Sequence, residues 1–345
     1  MTAMQLRYGA RAYASEAAEE MLESNAELAE RHGQGGFTVW QDFLTQRVTD
    51  LATAVEFDEP SMFASEVGWL YSTLSARGVS LADARFALEC LSRTLERELS
   101  SGAWGDVEPS IGAAMATEPS SMTPSSRIGE RQSEETLSRE FLTAVLSGDA
   151  ISATEMILNA FVGGTDAGVL YERVMLPVQA ELGTLWQRGE LGIADEHIAT
   201  EVVRGAMTAL WQTAAEGSAK RASVIVGSVA GDRHDAGVRA AAQLLDIAGF
   251  RGVCIGCDVP AEEFAFAAVR FEAIGAVVSA TMTQHLPRVR HTVVALREAI
   301  PELRIIVGGP AFGMDAAMAS RLAEKVGADA FADRPTVAAT LLGAG

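Results

Sequence analysis

Near the middle of the chain an apolar run, SVIVGSV, gives way to Asp232-x-His234-x-x-Gly237. An imidazole on such a loop can ligate a metal through one ring nitrogen. A carboxylate two residues earlier can bond the other nitrogen, fix the tautomer and raise the donor strength. Gly237 lets a following helix start close to a ligand. Two further apolar runs end in residue types that could complete a groove: VVSATMT leaves Ser279 and Thr281 at its end, and IIVGGP leaves Gly308 and Gly309. A hydroxyl donor beside two residues without side chains suits a flat group lying close to backbone. The plainer alternatives are a solvated loop histidine, a strand-end hydroxyl and a simple turn. A phosphate cradle is disfavoured, because the loop has neither Gly-x-Gly-x-x-Gly nor a Gly-Lys-Ser/Thr ending.

The elements that must position these residues are legible as periodicity. After Ala219, the apolar runs ASVIVGSV, GVCIGCDV, AVVSATMT, RIIVGGP and ADAFAD alternate with helical segments. This predicts a flavodoxin-like, Rossmann-type five-stranded parallel sheet in the order 2-1-3-4-5. Ligands bind such sheets at the carboxyl ends of the strands, where the three motifs fall. Upstream, residues 134–218 carry four helical segments, enough for a four-helix bundle. Residues 1–106 read as an all-helical sensory or partner domain, and 107–133, rich in Ser, Pro, Gly and Ala, as a flexible linker. Residues 219–345 form the α/β domain, so the fold class is multidomain, α followed by α/β.

Asp232-x-His234-x-x-Gly237, Ser279-x-Thr281 and Gly308-Gly309 together resemble the cobalamin-binding domain of methionine synthases, mutases and corrinoid proteins. The resemblance implies that His234 takes the lower axial position on cobalt, and that the displaced base of the cofactor enters the groove near Ser279, Gly308 and Gly309. Within the bundle, Trp186, nine intervening residues, then Glu196 and His197 resemble the cap of CarH-type light sensors, which hold adenosylcobalamin. By that resemblance Trp186 packs on the adenosyl group, Glu196 bonds its ribose and His197 neighbours it. Two departures stand out. Gln187 follows Trp186 where that family carries a histidine, and the N-terminal region has no basic recognition helix of the MerR type.

The arrangement is also similar to the photocobilins, in which a helical N-terminal domain is associated with a bilin. Biliverdin is therefore a possible second chromophore, with Tyr8, Tyr13, Trp40, Phe43, Phe63, Trp69 and Tyr71 as candidate pocket residues and Arg7, Arg11 or Arg85 as propionate partners. The expected function is a non-enzymatic photoreceptor in which light breaks the Co–C bond and changes conformation or homo-oligomeric assembly. The alternatives are a methylcobalamin carrier for a methyltransferase system and a light-independent cobalamin sensor.

Charge and composition limit the other possibilities. A net charge of -19 opposes phosphate binding, so no direct nucleic-acid contact is expected. No run of about 18 uncharged apolar residues exists, and acidic residues arrive too early for a signal-peptide core, so a cytoplasmic protein without membrane contact is expected. Cys90, Cys254 and Cys257 are too few for a disulfide framework. Cys254-x-x-Cys257 has a redox spacing, but within a strand residues three apart face opposite sides, which predicts a buried structural role. His285 is placed at the ligand edge, either on the corrin periphery or in a surface loop.

Overall fold

The computed structural model describes residues 1–118, 133–216, 222–313 and 315–343. The chain divides into two compact units. The first is helical: α1 Thr2–Ser24, α2 Ala26–His32, α3 Gly36–Glu56, α4 Pro60–Ala76, α5 Leu81–Glu98 and α6 Ser101–Met115. Its core includes Leu44, Val48 and Leu51 of α3 and Leu88, Leu91 and Leu95 of α5, each set spaced three or four residues apart as one helix face requires. Helix α6 runs past residue 106, where a linker was expected. Ser100 caps it by accepting from the Ala103 N–H, and Ala103, Val107, Ile111 and Ala114 bury one face. The stretch 119–132 of the expected linker lies outside the described residues.

The aromatic residues proposed for a bilin differ widely in exposure. Trp40, Phe63 and Tyr71 are buried core, whereas Tyr8 is 87% exposed. The three arginines are engaged within the unit: Arg7 pairs with Glu56, Arg11 donates to Gln41, and Arg85 donates to the Met115 carbonyl. Cys90 is fully buried in α5 among Leu88, Leu91 and Leu95 of the same helix.

The second unit begins with α7 Ser133–Leu146 and α8 Ala150–Val162. A continuous helical stretch follows, made of α9 Ala167–Val169, a π-helical turn Leu170–Met175 and α10 Leu176–Gln187, and then α11 Ile193–Ala214. These are the expected bundle. It leads into β1 Ser223–Val229, α12 Ala236–Ile247, β2 Arg251–Val259, α13 Ala261–Arg270, β3 Gly275–Ser279, α14 Leu286–Ala299, β4 Arg304–Gly308, α15 Ala316–Val326, β5 Ala330–Ala332 and α16 Pro335–Gly343. The five strands are parallel in the order β2-β1-β3-β4-β5, as predicted.

Packing fixes the bundle on the sheet domain. Leu170, Val174, Val203 and Leu210 of the bundle share one apolar cluster with Ala240 and Leu244 of α12. Polar clasps border it. The π-turn presents consecutive side chains to two different elements: Tyr171 Oη lies 2.8 Å from Gln243 Oε1 on α12, and Glu172 accepts from the Thr336 N–H and hydroxyl at the start of α16. Trp211 Nε1 donates to Asp246. Burial without a charged partner holds the Tyr171 phenol well above its usual pKa.

The expectation for Cys254-x-x-Cys257 is corrected. Val226 pairs with Cys254, but Gly227 pairs with Gly256, so Ile255 is an extra residue in the edge strand. Such a bulge reverses the alternation, placing both thiols toward the same face, and Gly256 supplies the required φ of 87°. Cys254 is exposed and Cys257 half-buried, so neither is a core residue.

Candidate functional site: a cavity between bundle and sheet

The three sheet motifs meet at the carboxyl ends of the strands. Register puts Ser228, Ser279, Gly308 and Ala332 side by side across β1, β3, β4 and β5. The loop after β1 turns at Gly231, whose φ is 85° and whose N–H donates to Asp258 Oδ1. That turn directs Asp232 inward and His234 outward. Asp232 is fully buried. Its Oδ1 accepts from His234 Nδ1 at 2.7 Å and from the His234 backbone N–H at 3.1 Å, while its Oδ2 accepts from the Thr281 N–H at 2.6 Å.

Because a carboxylate only accepts, Nδ1 of His234 carries a proton and Nε2 has the free lone pair. The imidazole is 62% exposed and lines the cavity. Its hydrogen bond to Asp232 raises its pKa, against the opposing effect of burial. Burial pushes the Asp232 carboxyl up, but the hydrogen bonds from His234 and Thr281 outweigh that and leave it below its ordinary value.

The glycines serve three different purposes. A Cβ at Gly237 would meet no protein atom, so that position opens onto the cavity. At Gly308 a Cβ would come within 2.9 Å of the Ala332 carbonyl oxygen, so glycine there lets β5 pair closely. Gly309 has a φ of 99°, and its Cβ would lie 2.3 Å from the Ala280 carbonyl oxygen. Both the turn and the adjoining backbone therefore demand glycine.

The opposite wall is the bundle. The cavity, about 1020 Å3, is lined by Gln179, Gly183 and Trp186 of α10 and Glu196, His197, Thr200 and Arg204 of α11, facing His234, Gly237, Ser279, Thr281, Gly308 and Gly309. Trp186, Glu196, His197, His234, Gly237, Ser279, Thr281, Gly308 and Gly309 all reach it as the sequence suggested, Asp232 supports it from beneath, and Gln187 and His285 do not line it. The volume is slightly above the ~300–1,000 Å3 typical of small-molecule sites, enough room for a large ligand. At the start of α11, Asp195 performs the capping by accepting from the Gly192 N–H. Glu196 is thereby left for the cavity, with His197 Nε2 3.6 Å from its Oε2.

Sequence reasoning missed the connection between the two walls. Asp235, next to His234, accepts from Arg204 of α11 at 2.6 Å and from Arg239 of α12 at 2.7 Å. An Asp followed four residues later by Arg was visible as a helical pair, but the partner 31 residues upstream was not. His285 does not line the cavity and is not a surface residue. It is buried behind the loop with Nδ1 3.8 Å from Asp232 Oδ2, and burial lowers its pKa.

These residues fit a corrinoid. A fixed tautomer aims a lone pair at the cavity, a side-chain-free floor admits a planar group, and a large aromatic sits on the opposite wall. The family comparisons agree with this chemistry. Two family models, each described as a B12 binding domain, match residues 137–210 and 222–340, the bundle and the sheet domain. The chain belongs to the B12-binding proteins that set a helical cap on a Rossmann-like domain, and it is a cobalamin-binding protein.

Among individual relatives, it is 30% identical over 210 residues to dimethylamine corrinoid protein 1 of Methanosarcina acetivorans, spanning 59% of this chain and 96% of that one. It is 29% identical over 159 residues to the HTH-type transcriptional repressor CarH of Myxococcus xanthus, spanning 45% of this chain and 52% of CarH. The solved Methanosarcina barkeri monomethylamine corrinoid protein superposes with a TM-score of 0.52 at 21% identity, covering 62% of this chain and all of that one, which bears on fold. The first 118 residues lie outside both family matches. Among the described residues, no helix is long and apolar enough to cross a membrane.

Proposed function

We propose that this protein is a light-responsive cobalamin receptor whose cavity holds adenosylcobalamin. The observation that carries the reading is the bundle wall, where a carboxylate, Glu196, and a large aromatic, Trp186, enter the same cavity as His234. A carboxylate can accept two hydrogen bonds from a vicinal diol, which an adenosyl ribose has and a methyl group lacks. Adenosylcobalamin, when bound, supplies a Co–C bond that light can break. His234 Nε2 would hold the corrinoid, with Asp232 fixing the neutral ring in the tautomer that leaves this nitrogen as the donor and raising its basicity, and Trp186 would exclude water from the bundle side of the cavity. Arg204 joins α11 to Asp235, so a displaced bundle disturbs the loop that carries His234. The output is a change in conformation or in homo-oligomeric assembly, without catalytic turnover.

A second reading, a methylcobalamin carrier serving a methyltransferase, is favoured by the relatives, most of which bear the name dimethylamine corrinoid protein. Identity to one of these and to CarH is nearly equal, so the wall residues weigh more. The test is reconstitution with adenosylcobalamin in the dark, followed by size-exclusion chromatography before and after illumination. A change in elution volume with bleaching is expected. An unchanged volume, together with tighter retention of methylcobalamin than of adenosylcobalamin, would replace the first reading by the second. The photoreceptor reading does not require a bilin. Purification alongside biliverdin should reveal any bilin in the N-terminal unit as a far-red band.

A further inference from the structure

Glu196 does not enter the cavity as a freely rotating side chain. Thr200 Oγ1, one turn further along α11, lies 2.7 Å from Glu196 Oε1, and Gln179 Nε2 of α10 lies 2.8 Å from Thr200 Oγ1. The direction of this chain is fixed by proton count. The carboxylate has no proton to give and the hydroxyl has one, so Thr200 donates to Glu196 and accepts from the Gln179 amide. All three residues line the cavity.

Among the mid-helix threonines of the bundle this arrangement departs from the usual one. Thr143, Thr184, Thr208 and Thr213 each turn back to the carbonyl four residues earlier, the common local bond for this residue type. Thr200 instead spends its proton sideways on a cavity carboxylate. Gln179 Oε1 is buried without a hydrogen-bond partner, so the amide is turned toward Thr200 with its acceptor left unsatisfied. Asp195 takes over the capping of the helix, and Arg204 is engaged with Asp235.

We propose that Thr200 and Gln179 are positioning residues that hold Glu196 in the orientation able to receive two adjacent hydroxyls, and so set the preference of the cavity for an adenosyl over a methyl upper group. The inference rests on the adenosylcobalamin reading above. Ordering a glutamate side chain costs rotamer freedom. The relay makes that ordering part of the folded protein, so it need not be repeated on binding.

The experiment measures dark dissociation constants for adenosylcobalamin and methylcobalamin on the full chain, with thermal melting to establish that each variant is folded. Thr200→Val keeps the shape and removes the hydroxyl. It should weaken adenosylcobalamin binding about tenfold, the size expected for a lost hydrogen bond to a charged group, and leave methylcobalamin within about twofold. Thr200→Ser should restore the wild-type ratio, and Gln179→Met should lower it by a smaller factor. Glu196→Ala separates the two levels of the argument. If it leaves the adenosyl-to-methyl ratio unchanged, the adenosylcobalamin reading fails. If it lowers the ratio while Thr200→Val does not, or if Thr200→Val weakens both ligands equally, the positioning role is overturned.

Discussion

Replacing Asp232 by Asn turns one of two accepting oxygens into a donor and so disturbs either one or two of its three hydrogen bonds. All the groups around the carboxylate are donors: His234 Nδ1 at 2.7 Å, the His234 N–H at 3.1 Å and the Thr281 N–H at 2.6 Å. If the new amide nitrogen takes the Oδ2 position, it faces the Thr281 N–H. If it takes the Oδ1 position, it faces the His234 backbone N–H and drives the imidazole to the other tautomer, with the proton on Nε2. Either orientation leaves a buried donor against a donor, at a cost of about 1–3 kcal/mol. Melting should fall by about 2–4 °C for each kcal/mol in a unit of this size. The second orientation also occupies the nitrogen that would ligate cobalt, and loss of such an outer-shell partner weakens metal binding about 10–100-fold. Dark titration with adenosylcobalamin, read as the shift from a base-on to a histidine-ligated spectrum, measures the binding effect, and calorimetric melting of the apoprotein measures the stability effect. Asp232→Asn with wild-type affinity and spectrum would refute the role assigned to the carboxylate, even if melting fell.

Gly309→Ala should destabilise by at least about 1–3 kcal/mol, since a φ of 99° disfavours any side chain and the Cβ meets a backbone oxygen at 2.3 Å. Gly237→Ala, whose Cβ meets open space inside a helix start, should melt at or slightly above wild type. The pair is checked by thermal melting of the apoproteins. A pH series tests the Arg204–Asp235–Arg239 cluster: burial pushes the Asp235 carboxyl up, but hydrogen bonds from Arg239 and Arg204 hold it below its ordinary 3.8. A depressed acid stabilises above its unfolded pKa and loses that contribution as pH falls through the folded value. The melting difference between wild type and Asp235→Asn should therefore be full at pH 5–7 and shrink below about pH 4.

Much of the site was legible because its decisive geometry is local. Asp232 and His234 are two residues apart, and one turn suffices to bring carboxylate and imidazole together. The strand ends at Ser279 and Gly308 could be aligned because parallel strands in a doubly wound sheet leave few registers. The π-turn, the β2 bulge and the roles of particular atoms were not legible. Ile255 is an extra residue of β2 opposite the Val226–Gly227 step, and this insertion shifts the alternation between Cys254 and Cys257. Thr281 acts through its backbone N–H rather than the hydroxyl that drew attention to it, because the chain direction after β3 points that amide at Asp232. The sequence by itself determined which residues could hold a corrinoid and which sheet presents them. The tertiary structure alone decided which side chains do so together: Gln179 meets Thr200 across two helices, Arg204 meets Asp235 across two domains, and His285 is drawn inside. Such contacts depend on how apolar faces far apart in the chain pack, which no local pattern encodes.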